Sequence, residues 1–416
     1  MLRFALSPGS PAWIFALCAS RSLSTMWIVA YSTVLTVVQA SWGLSYSDAG
    51  LIQSAFPLGY MVSMFFTGFM SDHYGAKRTF IWGGVALGVS TIAFVLFAHD
   101  FWSAYCLHAL TGLCAGGTYA PALALVTEHV ERDRRGRAMG LLLASSSASY
   151  ALCLGIVGLA LSFTDWRGGL GIVALLAFLA WPASLAALRG TPNVVHPRPP
   201  GESFLSALPL VIRDRRSMLS ISGYTFHNWE LLCLWAWLPA FVSAALSAQG
   251  GAQAGVVSYS LLLSALAYVA NIGGSLVGGV MADRLGRTQT ILVWSCASAL
   301  LSTFIGCFMS LPVSLLIAMI CLCNFAAIAD SSTHSTVLAE TVRPHIVGAA
   351  YAVRSVLGFG AGAISPIVFG AVLDSAGGSN MSTNQSAWVL AWTTLGLVAL
   401  LGPLSTWKLH RLSSSG

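Results

Sequence analysis

Charge is what this chain has least of. Only 8% of its 416 residues are Asp, Glu, Lys or Arg, against roughly 25% in a soluble domain. That scarcity excludes disordered, collagenous and nucleic-acid-binding classes. No Walker-type phosphate loop occurs, which argues against ATP-driven transport, and no enzymatic motif is present, so an enzyme is not expected. Loop cysteines are missing too. All nine cysteines fall inside apolar runs, where a secreted disulfide framework would not put them. Cys321 and Cys323 are two apart on a helix and face different ways, which makes them poor joint metal ligands. No His/Asp/Glu group shows ligand spacing in the sequence, so neither a metal nor another cofactor is expected. The N-terminus is expected to begin the first membrane helix and not to be a signal peptide. Arg21 interrupts the apolar stretch that begins at Ala12, and no cleavage site follows.

What is there is apolar. Hydrophobic residues make up 56% of the chain, and its mean hydropathy is +0.77. At about 20 residues per crossing, hydropathy and helix breakers give twelve spans: 12–39, 49–70, 79–98, 102–126, 138–162, 169–188, 217–242, 256–280, 289–309, 312–338, 347–373 and 387–406. The expected class is an all-α membrane protein with its twelve helices in two six-helix, pseudo-symmetric bundles. Seventeen of the twenty Lys and Arg fall in the terminal segments and the even-numbered loops, and only Arg167 lies in an opposite loop. Arg21 and Arg354 lie within spans. The bias puts both termini in the cytoplasm, with a bacterial inner membrane as the expected location.

The domain expectation is a bundle over 1–188, a linker over 189–216 and a second bundle over 217–416. Pro192, Pro197, Pro199 and Pro200 extend the linker's first part. Ser203–Arg216 then reads as a short surface helix or a solvated tether. The two halves repeat. Gly68, Asp72 and Gly75 recur 211 residues later as Gly279, Asp283 and Gly286, and Glu128 and Gly136 recur 212 later as Glu340 and Gly348. Parallel six-helix repeats are a transporter architecture.

On these residues the chain resembles the major facilitator superfamily. The strongest match is Gly278 to Gln289, GGVMADRLGRTQ, which is similar to the family's signature loop. Its first-half counterpart is Gly68-Phe-Met-Ser-Asp72-His73-Tyr-Gly75-Ala76-Lys77-Arg78, where His73 and Ala76 replace preferred arginines. Asp165-Trp166-Arg167 is also typical. The resemblance covers essentially the whole chain. It implies that Asp72, Asp283, Arg284 and Arg287 belong to gating loops that lock one side shut. Gly75 and Gly286 would permit the positive φ of a tight turn, and Gly68 and Gly279 would let helices approach closely. Two features of drug/proton antiporters are absent. The fifth span reads Ala144-Ser-Ser-Ser-Ala-Ser-Tyr150 in place of a Gly-Pro pattern, and His108 stands where the fourth span's arginine is expected.

Ionisable residues inside spans mark candidate sites. Glu230 sits mid-span, with Tyr224 and His227 at three-residue steps and Asn228 between them; burial of such a carboxylate suits proton uptake. Adding 211 to Arg21 gives 232, so Arg21 lies at nearly the same depth in the repeat. It is a candidate anion ligand, with Tyr31 further along its face, and a partner for Glu230. Asp330, with His334 one turn later, either pairs with Arg354 or takes part in coupling. His108 is either a titrating group or a packing residue. One of Trp229, Trp235 and Trp237 can form a binding-site wall.

The expectation is therefore a secondary transporter working by alternating access, with its site between the two halves. Its substrate would be a small organic or inorganic anion moved with protons. Arg21, Tyr31, His108, Tyr224, His227, Asn228 and Arg354 are the substrate candidates, and Glu230 and Asp330 the proton-coupling ones. The alternatives are an exporter of amphipathic or cationic compounds and a non-transporting receptor or assembly subunit. The expected partners are the solute, protons and the lipid bilayer, with no nucleic acid and a monomeric chain.

Overall fold

The computed structural model describes residues 6–195, 204–250, 255–343, 346–377 and 384–414; among these, the side chains at 68–69, 204–206, 377 and 413–414 are not described. The described residues form helices and no strands. Twelve helices are long and apolar enough to cross a membrane. They are Pro11–Trp42, Tyr46–Thr67, Ala76–Phe97, Phe101–His129, Arg132–Ala160, Trp166–Ala187, Arg215–Ala248, Val256–Leu285, Arg287–Phe308, Val313–Thr341, Val347–Ala376 and Gln385–Leu412. Several outrun the hydropathy expectation. The second continues helical to Tyr74, and the seventh starts at Arg215. Hydropathy detects only what hydrocarbon would cover, whereas backbone hydrogen bonding continues the helix past that boundary.

Two spans break at repeat-related points. A 3₁₀ turn at Gly116–Thr118 interrupts the fourth, and the helix restarts at Ala120 with Pro121 in its first turn, where the missing N–H costs nothing. The tenth breaks at Asp330, between Val313–Ala329 and Ser331–Thr341. Thr118 and Asp330 are 212 apart, the register of Glu128 and Glu340.

The chain divides into two compact units: residues 1–34 with 55–200, and residues 35–54 with 201–416. In the first unit, Trp13, Leu17, Phe80, Leu125, Leu142 and Leu188 form a buried cluster. The indole of Trp13 donates to Thr191 Oγ1 at 2.8 Å. The linker's start is docked on this unit. Lys77 Nζ donates to Thr191 O at 2.7 Å. Asn193 donates from Nδ2 to Tyr74 O at 2.8 Å and accepts from the Arg78 amide at 3.2 Å.

The second unit has an aromatic core. Phe369 stacks on Trp237 at 5.4 Å and meets Trp392 edge-on at 4.9 Å. Removing one such buried ring typically costs about 3–5 kcal/mol. Residues 35–54 belong here because the start of the second span is capped from this unit. Asp374 accepts from the Tyr46 amide at 2.9 Å and the Ser47 amide at 2.7 Å, two of the donors that a helix start leaves unpaired. The short helix Phe204–Arg213 packs Val211 against Ile221, Leu338 and Ala350, so it is docked on protein. Exposed Phe15, Trp82 and Trp102 are the outward apolar surface expected of a chain solvated by lipid.

Candidate functional site

The two repeated loops turn the same way. Gly75 and Gly286 each begin a helix with φ near +90°, at 87° and 89°. A side chain at Gly75 would also land on the Asn193 amide. The close helix approach expected of Gly279 belongs instead to its neighbour. A Cβ at Gly278 would strike the carbonyl of Ala329, whereas nothing lies within 4 Å of one at Gly279. One residue of rotation on the helix turns Gly279 about 100° away from the tenth span. The surroundings of Gly68 lie outside the described residues. Asp72 is half-buried, and Asp283 and Arg284 are exposed. Arg287 pairs with Glu340, its repeat-loop partner. Gly279, Asp283, Arg287 and Thr336 help line a cleft of about 220 Å³.

Arg21 is buried in the first unit, 3% exposed. Its guanidinium donates to Leu142 O at 2.8 Å and to Ser146 Oγ, both on the fifth span, and lies 5.3 Å from the Tyr119 ring centre. Its Nε has no acceptor among the described residues. Among the described residues no carboxylate lies within ion-pair distance of it. Ser146, within the Ala144–Tyr150 segment that lacks the antiporter pattern, supplies one of its acceptors, a pairing that no spacing in the sequence announces.

Tyr31 and His108 also meet in the first unit. The imidazole is fully buried, with Tyr31 at 5.4 Å, Phe56 at 5.4 Å and Phe94 at 5.5 Å. Neither ring nitrogen has a hydrogen-bond partner among the described residues.

Glu230 is held in the second unit by two hydroxyls of the ninth span. Ser302 donates to Oε1 at 2.6 Å and Ser298 to Oε2 at 3.1 Å. Ser295, Ser298 and Ser302 lie at three- and four-residue steps and so share one face of the ninth span. Tyr224 and His227 share a face, with rings 6.0 Å apart. Glu230 is turned about 120° from Tyr224, because three-residue steps lag the helical turn, and this directs it to the ninth span.

His227 faces the break in the tenth span instead. Its Nδ1 lies 3.1 Å from Asp330 Oδ1, and His334 Nε2 lies 3.3 Å from Asp330 Oδ2. Asp330 is thus bracketed by two histidines. The expected Asp330–Arg354 pair does not form, because Arg354 lies over the Tyr224 ring at 3.7 Å and near Tyr351 at 5.2 Å. Asn228 presses on Gly358, where a Cβ would be 2.7 Å from its Nδ2. Arg21 and Glu230 each find their hydrogen-bond partners within their own unit.

The chain is similar to known transporters. It is 23% identical over 283 residues to "Probable anion transporter 3, chloroplastic" of Oryza sativa, covering 63% of this chain but only 53% of that protein. It is 20% identical to the hexuronate transporter of Bacillus subtilis, over 90% of each chain. A solved structure of the nucleoside transporter NupG superposes with a TM-score of 0.76 at 13% identity, covering 95% of this chain and 99% of that one. Residues 14–261 match the sequence profile of the Major Facilitator Superfamily. This chain, an integral membrane protein of twelve apolar helices, is a secondary transporter belonging to the Major Facilitator Superfamily.

Proposed function

We propose that this transporter moves a small organic or inorganic anion together with protons, by alternating access. The observation that carries the reading is Arg21. A guanidinium removed from water is costly unless a counter-charge meets it, and no described carboxylate does so. An anionic solute supplies that charge and can take two parallel hydrogen bonds from the guanidinium. Similarity to a hexuronate transporter and a chloroplastic anion transporter supports the same class. Arg354, buried over Tyr224 with an Nε that has no partner among the described residues, is a second cationic anchor in its own unit.

Glu230 carries the coupled proton in this reading. Its described hydrogen-bond partners are two neutral hydroxyls, and two hydroxyls can serve the carboxylate and the protonated acid alike. The Lys and Arg distribution supports both termini lying in the cytoplasm.

The test is uptake into proteoliposomes. Arg21→Ala should abolish saturable binding of a radiolabelled carboxylate, and Arg21→Lys should weaken it. Glu230→Gln should keep binding and counterflow but lose accumulation driven by a proton gradient. Normal binding by Arg21→Ala would remove the anion assignment. Concentrative uptake by Glu230→Gln would remove Glu230 as the proton carrier.

A further inference from the structure

The break at Asp330 assembles a group of side chains that no periodicity in the sequence announces. His227 comes from the seventh span, Asp330 from the junction within the tenth, and His334 from one turn beyond it. One donor atom of each lies within 4.8 Å of those of the other two. We propose that His227, Asp330 and His334 form a binding site for a divalent transition-metal ion.

Three observations carry this. The first is the donor set. Two imidazoles and one carboxylate are the three-ligand combination that holds zinc, cobalt or iron(II) while leaving a position open. The second is geometry. Ligands about 2.0–2.1 Å from a tetrahedral ion stand roughly 3.3 Å apart. The His227–Asp330 and His334–Asp330 separations are 3.1 and 3.3 Å. His227 meets Oδ1 and His334 meets Oδ2, so the two histidines, with ring centres 5.1 Å apart, have to draw together around the carboxylate. The third is unused capacity in a dry place. The three side chains are 4%, 1% and 3% exposed. Asp330 Oδ1, 3.1 Å from His227 Nδ1, has no aligned hydrogen-bond partner among the described residues.

The surrounding charge accommodates a cation. Glu230, on the same helix as His227, is within electrostatic reach of both His227 and Asp330. Arg354 is within reach of His334, with its guanidinium drawn onto the Tyr224 ring. Two carboxylates against one guanidinium leave a negative balance that a divalent ion would reverse. Gly223 leaves room beside His334, since a Cβ there would be 3.4 Å from Cε1, so the ring has space to adjust.

The experiment is a cobalt(II) titration of detergent-purified protein carrying no histidine tag, read by visible ligand-field absorption. We expect one saturable ion per chain, displaced by zinc(II). Asp330→Asn and His334→Ala should weaken it at least about tenfold, as loss of a ligand requires. Acidification should release it, because the imidazoles must be neutral to bind. His334→Cys, which restores a ligand, should recover binding and add a sulfur-to-cobalt charge-transfer band. Thermal melts establish that each variant is folded. No saturable band in folded wild-type protein overturns the proposal, as does a band unchanged by both Asp330→Asn and His334→Ala. The readout involves no transport, so its failure leaves the Arg21 reading intact.

Discussion

The hydroxyl of Ser302 donates a 2.6 Å hydrogen bond to Oε1 of Glu230, joining the seventh and ninth spans through a buried carboxylate. Removing one partner of a buried acceptor costs more than the bond itself contributes, because the acceptor is left without water. Ser302→Ala should therefore lower stability by about 1–3 kcal/mol, read as a fall in melting temperature. In a Glu230→Met background, which has no acceptor oxygen, the same substitution should cost measurably less. Equal costs in the two backgrounds would show that the serine acts by packing alone.

Asn193 holds the first repeated loop from a segment that composition reads as a tether. Its two hydrogen bonds reach Tyr74 and Arg78 on either side of Gly75. Asn193→Ala should speed amide hydrogen exchange at residues 74–78 while leaving the second-half loop at 285–289 unchanged. Unaltered exchange at 74–78 would mean that the glycine turn holds its shape unaided.

Asp374 ties the start of the second span to the second unit, accepting also from Ser47 Oγ at 2.5 Å. Carboxylates that serve helix starts are worth about 0.5–2 kcal/mol. Asp374→Ala should cost an amount in that range and increase protease or maleimide access around Tyr46–Asp48. Wild-type stability in this variant would show that residues 35–54 are held by other contacts.

Orientation is tested by labelling. Ser386 is exposed at the start of the last span. In a cysteine-free background, Ser386→Cys should react with a membrane-impermeant maleimide added to intact cells. Reaction only after the cells are opened would reverse the topology proposed from the basic residues.

The helix count and the repeat were readable because they rest on summed quantities, apolar length and register, that survive local error. Partners were less readable. Glu230 stands out in a hydropathy profile, but Ser298 and Ser302 do not, since isolated hydroxyls are ordinary inside spans. His227 and Asp330 are 103 positions apart, and only the interruption of the tenth helix brings them together. Arg354 illustrates the same limit. Its depth in the span points to Asp330 as a partner, yet the face of Tyr224 holds it. The Gly278–Gly279 exchange came from a single step of helical rotation, finer than a motif alignment distinguishes.

The contact of Gly278 with Ala329 bears on which sequences this fold can tolerate. The obstructing atom is a backbone carbonyl, so no change of rotamer and no compensating substitution at 329 would clear it. Position 278 is closed to mutational drift for as long as the eighth and tenth helices keep this separation, while position 279 is sterically free to vary. A homologue that carries a side chain at 278 must have moved one of those helices, and with the tenth goes the segment bearing Asp330 and His334.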